Sequence, residues 1–239
     1  DVCSSDLTGL TEGLNYLMGT TSYIRSFAAI NEDDNNVLLA MIISPYWASN
    51  ALNDRVLEVY RYDGALNKVF EYSLRDGSAK LAFGNVDDDL ALELVTNDGF
   101  VFDTSSWQEQ WRSDAFFGDD IVLVDADGNG IDEIAGRFND GRLELYSPEF
   151  SASLFSADAS LCPLKTIEAD DQTGRELVVV DCSNVTTAYF WEGEYLGVEW
   201  QDEHSSFRRN ETPYDSLGWI EEGISGTKKA LFMVDSSLS

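Results

Sequence analysis

Oxygen-bearing side chains recur at fixed spacing in residues 125–133, in the middle of the chain. They stand at positions 1, 3, 5 and 9 of this segment, in Asp125, Asp127, Asn129 and Glu133. Position 7 offers the backbone carbonyl of Ile131, and Gly130 at position 6 permits a tight turn. Calcium takes about six to eight hard oxygen ligands, so this pattern predicts a calcium loop. An acidic turn that binds no metal is the alternative interpretation.

Apolar residues flank this loop at 121–124 and 134–135, which predicts a strand on each side of it. The segment also resembles the DxDxDGxxD loop of FG-GAP and VCBS repeats, with Asn129 in place of the third Asp and Glu133 in place of the last. Those repeats build the integrin-alpha type of β-propeller, in which the loop joins the first two strands of a blade. The resemblance implies an all-β propeller and a role in adhesion or recognition.

The same eleven-residue frame occurs five times, with starts at residues 31, 85, 125, 168 and 221. Spacings of 40 to 54 residues are typical of four-stranded propeller blades. We therefore predict an all-β fold of five blade-like repeats, either a whole ring or a fragment of a larger one. The strands expected in the first repeat cover residues 23–30, 37–43, 55–62 and 66–74.

Two further loops keep enough ligands to predict calcium. The second offers Asn85, Asp87, Asp89, Ala91 and Glu93 at positions 1, 3, 5, 7 and 9, the same positions as in the central loop. The fourth offers, at those positions, Glu168, Asp170, Gln172, Gly174 and Glu176. Leu90 replaces the glycine of the second loop, which makes its turn less favourable. The first and fifth loops carry Leu39 and Lys229 at position 9, so we expect no complete calcium site there.

Two cysteines of the fourth repeat add an independent prediction. Directly opposed residues of an ungapped antiparallel hairpin have numbers with a constant sum, and the loop ends 168 and 176 share their sum with Cys162 and Cys182. This register would place the two cysteines opposite each other, close enough for a disulfide. Two buried free thiols are the alternative. A disulfide and calcium loops would both point to an extracellular, cell-surface or periplasmic location.

Charge and composition exclude some classes of function. The chain has 239 residues, with 15 basic against 44 acidic residues and a formal charge of −29, which disfavours nucleic-acid binding. We expect no transmembrane helix, and because no basic start followed by an apolar segment marks a signal peptide, we expect any export signal to lie outside this sequence. Residues 1–7 resemble a translated sequencing adapter, so we expect residues 8–239 to be one propeller domain, cut from a longer chain.

Catalytic motifs are scarce. His204 is the only histidine, and no GxSxG, HExxH or CxxC pattern accompanies it. Trp107 and Trp111 are predicted to lie on one face of a strand, where packing between blades is favoured over stacking on a ligand. The favoured hypothesis is a non-catalytic, calcium-stabilised propeller that binds a protein or glycan through its loops. The alternative is the propeller part of a secreted polysaccharide lyase or glycosidase, with a carboxylate pair assembled in space.

Overall fold

The computed structural model describes twelve segments of the chain. They are residues 22–32, 36–45, 55–75, 80–89, 91–147, 150–158, 164–167, 176–181, 185–191, 196–203, 216–221 and 229–234. All regular secondary structure within these segments is strand, so the prediction of an all-β fold is confirmed. Residues 1–7, with their resemblance to an adapter sequence, lie outside the described segments.

Consecutive strands form four-stranded antiparallel sheets in simple chain order. The first sheet contains β1 (Ser22–Asn31), β2 (Val37–Pro45), β3 (Val56–Tyr62) and β4 (Leu66–Ser73). The second contains β5 (Leu81–Gly84), β6 (Glu93–Thr96), β7 (Phe100–Asp103) and β8 (Gln108–Arg112).

Two more sheets and a hairpin follow the same plan. The third sheet contains β9 (Asp120–Val124), β10 (Glu133–Arg137), β11 (Arg142–Ser147) and β12 (Phe150–Asp158). The fourth contains β13 (Leu164–Ile167), β14 (Glu176–Asp181), β15 (Val185–Trp191) and β16 (Leu196–Glu203). A hairpin of β17 (Ser216–Glu221) and β18 (Lys229–Val234) ends the described chain. The predicted repeat starts at residues 85 and 125 directly follow β5 and β9, and those at residues 31 and 221 are the last residues of β1 and β17. The start at residue 168 lies outside the described residues.

Tertiary contacts divide the chain into two compact units. The first comprises residues 1–84 and 91–116, and the second comprises residues 85–90 and 117–239. The short segment 85–90, which contains most of the second predicted calcium loop, therefore belongs to the second unit.

The core of the first unit lies between its two sheets. It is formed by buried apolar side chains of the strands and of Leu74, which follows β4, namely Ala40, Ile42, Leu57, Val59, Leu74, Leu81, Leu94, Phe100 and Phe102. Trp107 packs against this cluster and stacks on Phe70 with 5.0 Å between ring centroids, as expected for a packing role. Its predicted place in a strand is wrong: Trp107 lies in the turn before β8 with φ 55°, and its N–H donates to the Asp103 carbonyl at 2.8 Å. This backbone conformation is uncommon outside glycine.

The core of the second unit contains Val124, Ala126, Ala135, Leu143, Leu145 and Leu164. Gly136, in the middle strand β10, faces the backbone of Phe117. A Cβ added at Gly136 would lie 1.6 Å from the Phe117 carbonyl oxygen, so no side chain fits there without moving the backbone. The absence of a side chain thus allows the backbone of residue 117 to lie close against β10.

A Glu-x-Tyr pair recurs on the third strand of the first and third sheets. The Tyr60 hydroxyl donates to Glu58 at 2.5 Å, and Lys68 pairs with the same carboxylate at 2.6 Å. The Tyr146 hydroxyl donates to Glu144, whose other oxygen pairs with Arg142. Both tyrosines are buried. In each pair, the hydrogen bond of a buried phenol is accepted by a carboxylate two residues away on the same strand.

The hairpin register differs from the predicted one by one residue. Glu93, Glu133 and Glu176, each at loop position 9, open a strand opposite the residue that precedes the loop, namely Gly84, Val124 and Ile167. The loop therefore occupies eight residues between paired positions rather than seven. In the fourth sheet Leu164 pairs with Val179 and Ile167 with Glu176, so the register used to oppose Cys162 and Cys182 is wrong for the described pairs. The two cysteines lie outside the described residues, and their disulfide stays a prediction.

Candidate metal centre

The third loop connects β9 to β10 and brings three of its predicted ligands together. One carboxylate oxygen each from Asp125, Asp127 and Glu133 lies within 4.8 Å of the others. The strands on either side are buried and hold the two ends of the loop at adjacent positions of the sheet. Three carboxylates this close repel one another unless a cation or a proton lies between them.

Backbone amide groups hold the loop in this shape. Asp125 accepts hydrogen bonds from the N–H groups of Asn129 and Gly130, both at 2.9 Å. Gly130 has φ 89°, a left-handed conformation that glycine adopts without strain. Asp127 accepts hydrogen bonds from the N–H of Asn129 at 3.1 Å and from its Nδ2 at 3.0 Å. The turn that the sequence predicted at position 6 is therefore present.

Glu133 is the most buried of the three acids, with 7% of its surface exposed. Its Oε2 accepts a hydrogen bond from the Ala126 N–H at 2.9 Å. Burial, together with the negative charges of Asp127 and Asp125, raises the pKa of Glu133 from 4.5 to about 7. A cation bound between these carboxylates would remove the repulsion and stabilise the ionised form of Glu133.

Asn129 and Ile131, the other predicted ligands, also brace the loop. The Asn129 Oδ1 accepts the N–H of Ile131 at 2.7 Å, and both residues lie between Asp127 and Glu133 in the sequence. All the donors that the loop offers are oxygens, which suits a hard divalent cation such as calcium rather than zinc or copper. The residues present therefore fit the predicted ion.

The second loop resembles the third in some respects. Glu93 opens β6 as Glu133 opens β10, and its side chain is fully buried. Asp87 is half-buried and accepts the N–H of the exposed Asp89 at 2.9 Å. Ala91 is half-buried, and Leu90 lies outside the described residues. Asn85 differs from its counterpart Asp125, because its side-chain Nδ2 donates to the Gly130 carbonyl of the third loop at 3.0 Å.

Of the predicted ligands in the fourth loop, only the last, Glu176, is among the described residues. Glu176 opens β14 opposite Ile167. Glu168, Asp170, Gln172 and Gly174 lie outside the described residues, as does His204. Calcium at this loop therefore stays a prediction from the sequence.

Sequence reasoning missed the contacts between the second and third loops. Asp132, at position 8, accepts a hydrogen bond from the Asn85 N–H at 3.0 Å and donates its own N–H to the Asn85 carbonyl at 2.6 Å. Asp132 is outside the group of converging carboxylates. Strand alternation after the loop would turn the side chain at position 8 away from a bound ion, and the polar character of Asp132 was the sequence signal for such a contact.

Comparisons with known proteins identify the fold. No family model matches the chain, and no curated protein matches it. Among solved structures, the C-terminal WD40 domain of Sif2 is similar over 84% of this chain, with a TM-score of 0.51 and 12% identity. The chain has a β-propeller fold. It spans 50% of the length of the Sif2 structure.

A second solved structure supports the same fold. BBS1N, in a crystal structure of its complex with ARL6DN, is similar over 90% of this chain and 75% of its own length, with a TM-score of 0.50 and 13% identity. The predicted propeller is thus confirmed, whereas the resemblance to FG-GAP and VCBS repeats stays a prediction. The described part of the chain contains no helix with the length and apolar content needed to span a lipid bilayer.

Proposed function

We propose that this chain is a non-catalytic propeller module that binds a protein or glycan partner, with calcium holding its loops in shape. The convergence of Asp125, Asp127 and Glu133 within 4.8 Å is the observation that carries the proposal. In this arrangement calcium is structural, because it would tie the end of β9 to the start of β10. The acids themselves perform no reaction.

Two features favour binding over catalysis. The carboxylates of the third loop are held by backbone N–H groups from the same loop, as expected for a structural ion site. In addition, the similar structure of BBS1N is that of a complex with another protein, ARL6DN. Propellers present loops that vary without disturbing the sheets, which suits them to recognition.

The proposed setting is extracellular, at the cell surface or in the periplasm. Calcium modules outside cells work with dissociation constants of about 0.1–1 mM, a concentration range that the cytosol does not reach. The excess of acidic residues, 44 against 15 basic, favours cation binding and disfavours nucleic acid as a partner.

The metal part of the proposal is tested by calorimetric titration and thermal unfolding of the intact chain. Calcium at about a hundred times its dissociation constant should stabilise the folded state by about 2.7 kcal/mol. Asp125→Ala should remove most of this calcium-dependent gain. Asp88→Ala is the matched control, because Asp88 is an exposed carboxylate in the second loop at a position that the calcium pattern does not use. No calcium binding to the wild-type chain would contradict the proposal.

The recognition part is tested on glycan and protein arrays with calcium and with a chelator. Binding that requires calcium and is lost in Asp125→Ala, but kept in Asp88→Ala, supports a calcium-shaped binding module. Turnover of a polysaccharide that a single carboxylate substitution abolishes would instead support the lyase or glycosidase alternative and overturn the non-catalytic assignment.

A further inference from the structure

Three hydrogen bonds join the second and third loops, although their residues are far apart in the sequence. Two of them form a reciprocal pair, in which the Asp132 N–H donates to the Asn85 carbonyl at 2.6 Å and the Asn85 N–H donates to Asp132 Oδ2 at 3.0 Å. The third runs from Asn85 Nδ2 to the Gly130 carbonyl at 3.0 Å. We call this set of contacts the Asn85–Asp132 clasp. All three of its residues belong to the second unit.

The clasp fixes which way the Asn85 amide points. A backbone carbonyl only accepts hydrogen bonds, so the nitrogen end of the amide must face Gly130. The oxygen end is then directed elsewhere, and Oδ1 is a buried atom with no hydrogen-bond partner. A buried acceptor without a partner costs about 1–3 kcal/mol, so the bare loop leaves an oxygen in need of a positive group. Asn85 is also position 1 of the second predicted calcium loop.

The clasp contacts the third loop beside its predicted ligands. Gly130 is followed by Ile131, whose carbonyl is the predicted ligand at position 7. Asp132 is followed by Glu133, one of the converging acids. The backbone that carries these ligands is therefore hydrogen-bonded to the residue that begins the second loop.

An ion bound at one loop would change the affinity of the other loop for an ion through the Asn85 amide. Coordination of Asn85 Oδ1 by a cation would polarise the amide and strengthen the hydrogen bond from Nδ2 to the Gly130 carbonyl, since linked hydrogen bonds reinforce one another. An ion in the third loop would in turn fix residues 130–132 and thereby hold Asn85 in place. Reciprocity of this kind is required by thermodynamic linkage.

We propose that the Asn85–Asp132 clasp couples the second and third loops, so that calcium bound at either loop strengthens calcium binding at the other. Asn85 is then both a ligand of the second loop and a positioning residue for the third, and Asp132 is a positioning residue for both. This inference rests on the proposed function, because it requires that the loops bind calcium.

The test is calcium titration of the intact chain by calorimetry, with variants that separate ligands from the clasp. Asp132→Ala removes the side-chain acceptor of the clasp without removing a predicted ligand, and Asp132→Asn keeps an acceptor oxygen at the same place. We expect Asp132→Ala to weaken calcium binding by about 5-fold or more, the lower end of typical coupling between sites. Asp132→Asn should restore most of the affinity, and Asp88→Ala should leave it unchanged.

Coupling itself is measured by removing one site at a time. Asp125→Ala disables the third loop, and we expect the second loop then to bind calcium about 5-fold more weakly than in the wild type. In the Asp125→Ala background, adding Asp132→Ala should weaken calcium binding less than it does in the wild type, because only the direct hold of Asp132 on Asn85 remains to be lost.

The outcomes distinguish this inference from the proposed function. If titration of the wild-type chain with calcium gives no heat of binding, both the coupling and the proposed function are overturned. Two independent sites whose affinities are unchanged in Asp132→Ala, or a single site, overturn the coupling and leave the calcium-stabilised module intact. If Asp132→Ala lowers the melting temperature equally with calcium and with chelator, the clasp is a structural contact only and the inference fails. Should Asp132→Ala not fold, the Asp125→Ala titration and Asp132→Asn still decide between these outcomes.

Discussion

The second and third hairpins are built alike but use the first residue of their loops differently. In both, a buried glutamate opens the second strand opposite the residue before the loop. In the third loop, Asp125 accepts hydrogen bonds from Asn129 and Gly130 and so organises its own turn. In the second, Asn85 donates to Gly130 of the neighbouring loop. A position that matches in sequence thus organises its own loop in one repeat and the next repeat's loop in the other.

The difference continues into the strands that follow. Three residues after the opening glutamate, the third hairpin has Gly136 and the second has Thr96. Gly136 leaves room for the Phe117 carbonyl, whereas the Thr96 hydroxyl donates to the buried Asp98 at 2.5 Å. The same strand position therefore excludes a side chain in the third hairpin and uses one for a hydrogen bond in the second.

Substituting Gly136 and Thr96, each by the residue of the other hairpin, should give the largest difference in the free energy of unfolding. Gly136→Thr places a Cβ about where the Phe117 carbonyl lies, and we expect it to lower the free energy of unfolding by more than about 3 kcal/mol, beyond the usual cost of overpacking. Thr96→Gly removes the hydroxyl that donates to the buried Asp98 and should cost about 1–3 kcal/mol. Denaturant unfolding measures both, and equal losses would show that the close approach of Phe117 is not what requires Gly136.

A smaller effect is expected from the protonation of Glu133. In the metal-free folded protein its carboxyl has a pKa of about 7, against 4.5 normally, because of burial and of the charges on Asp127 and Asp125. The folded state therefore holds this proton more strongly than the unfolded chain does. Its contribution to stability is fully present below pH 4.5 and is lost as the pH rises towards 7.

Unfolding in the presence of a chelator, followed across this pH range, checks the Glu133 prediction. Glu133→Gln should flatten the decline in stability relative to the wild type. Asp88→Asn, which removes an exposed charge from the second loop, should leave the slope unchanged. A wild-type profile that is parallel to that of Glu133→Gln would mean that Glu133 titrates near its ordinary pKa.

The smallest effects concern position 6 of each loop. A Cβ at Gly130 meets no atom within 4 Å, so Gly130→Ala should cost only the strain of the left-handed backbone, about 1–2 kcal/mol. Leu90→Gly should strengthen calcium binding at the second loop, because it gives that loop the residue that the third loop uses in its turn. We expect calorimetry to find tighter binding in Leu90→Gly, and an unchanged affinity would mean that the two loops turn differently.

Sequence periodicity predicted much of the fold, because each repeat carries its own local signals. The strand before the first loop and the three that follow it correspond to β1 to β4. The converging acids of the third loop were also predictable, since Asp125, Asp127 and Glu133 are close in the chain and the turn that joins them is encoded by Gly130.

Features that depend on residues far apart in the chain could not be predicted from such local signals. The direction of the Asn85 amide is set by the Gly130 carbonyl, 45 residues away. The hairpin register depends on how many residues the loop takes up, and an error of one residue moves a side chain to the other face of a strand. Trp107 lies in the turn before β8 and stacks on Phe70 of the first sheet, a contact between residues that are distant in the sequence.

The paired glutamates and tyrosines of β3 and β11 give the protein a built-in optical probe of alkaline unfolding. Burial and the hydrogen bond to Glu58 raise the pKa of Tyr60 to about 12, and burial with the hydrogen bond to Glu144 raises that of Tyr146 as well. These two tyrosines should ionise late in an ultraviolet titration, as should Tyr72, whose pKa is raised by burial and by its hydrogen bond to Glu109. Because the folded state retains their protons, each stabilises the fold up to the ordinary phenol value of 10 and loses that contribution above it. The late absorbance change therefore reports on the burial and hydrogen bonding of these two phenols, one on β3 and one on β11.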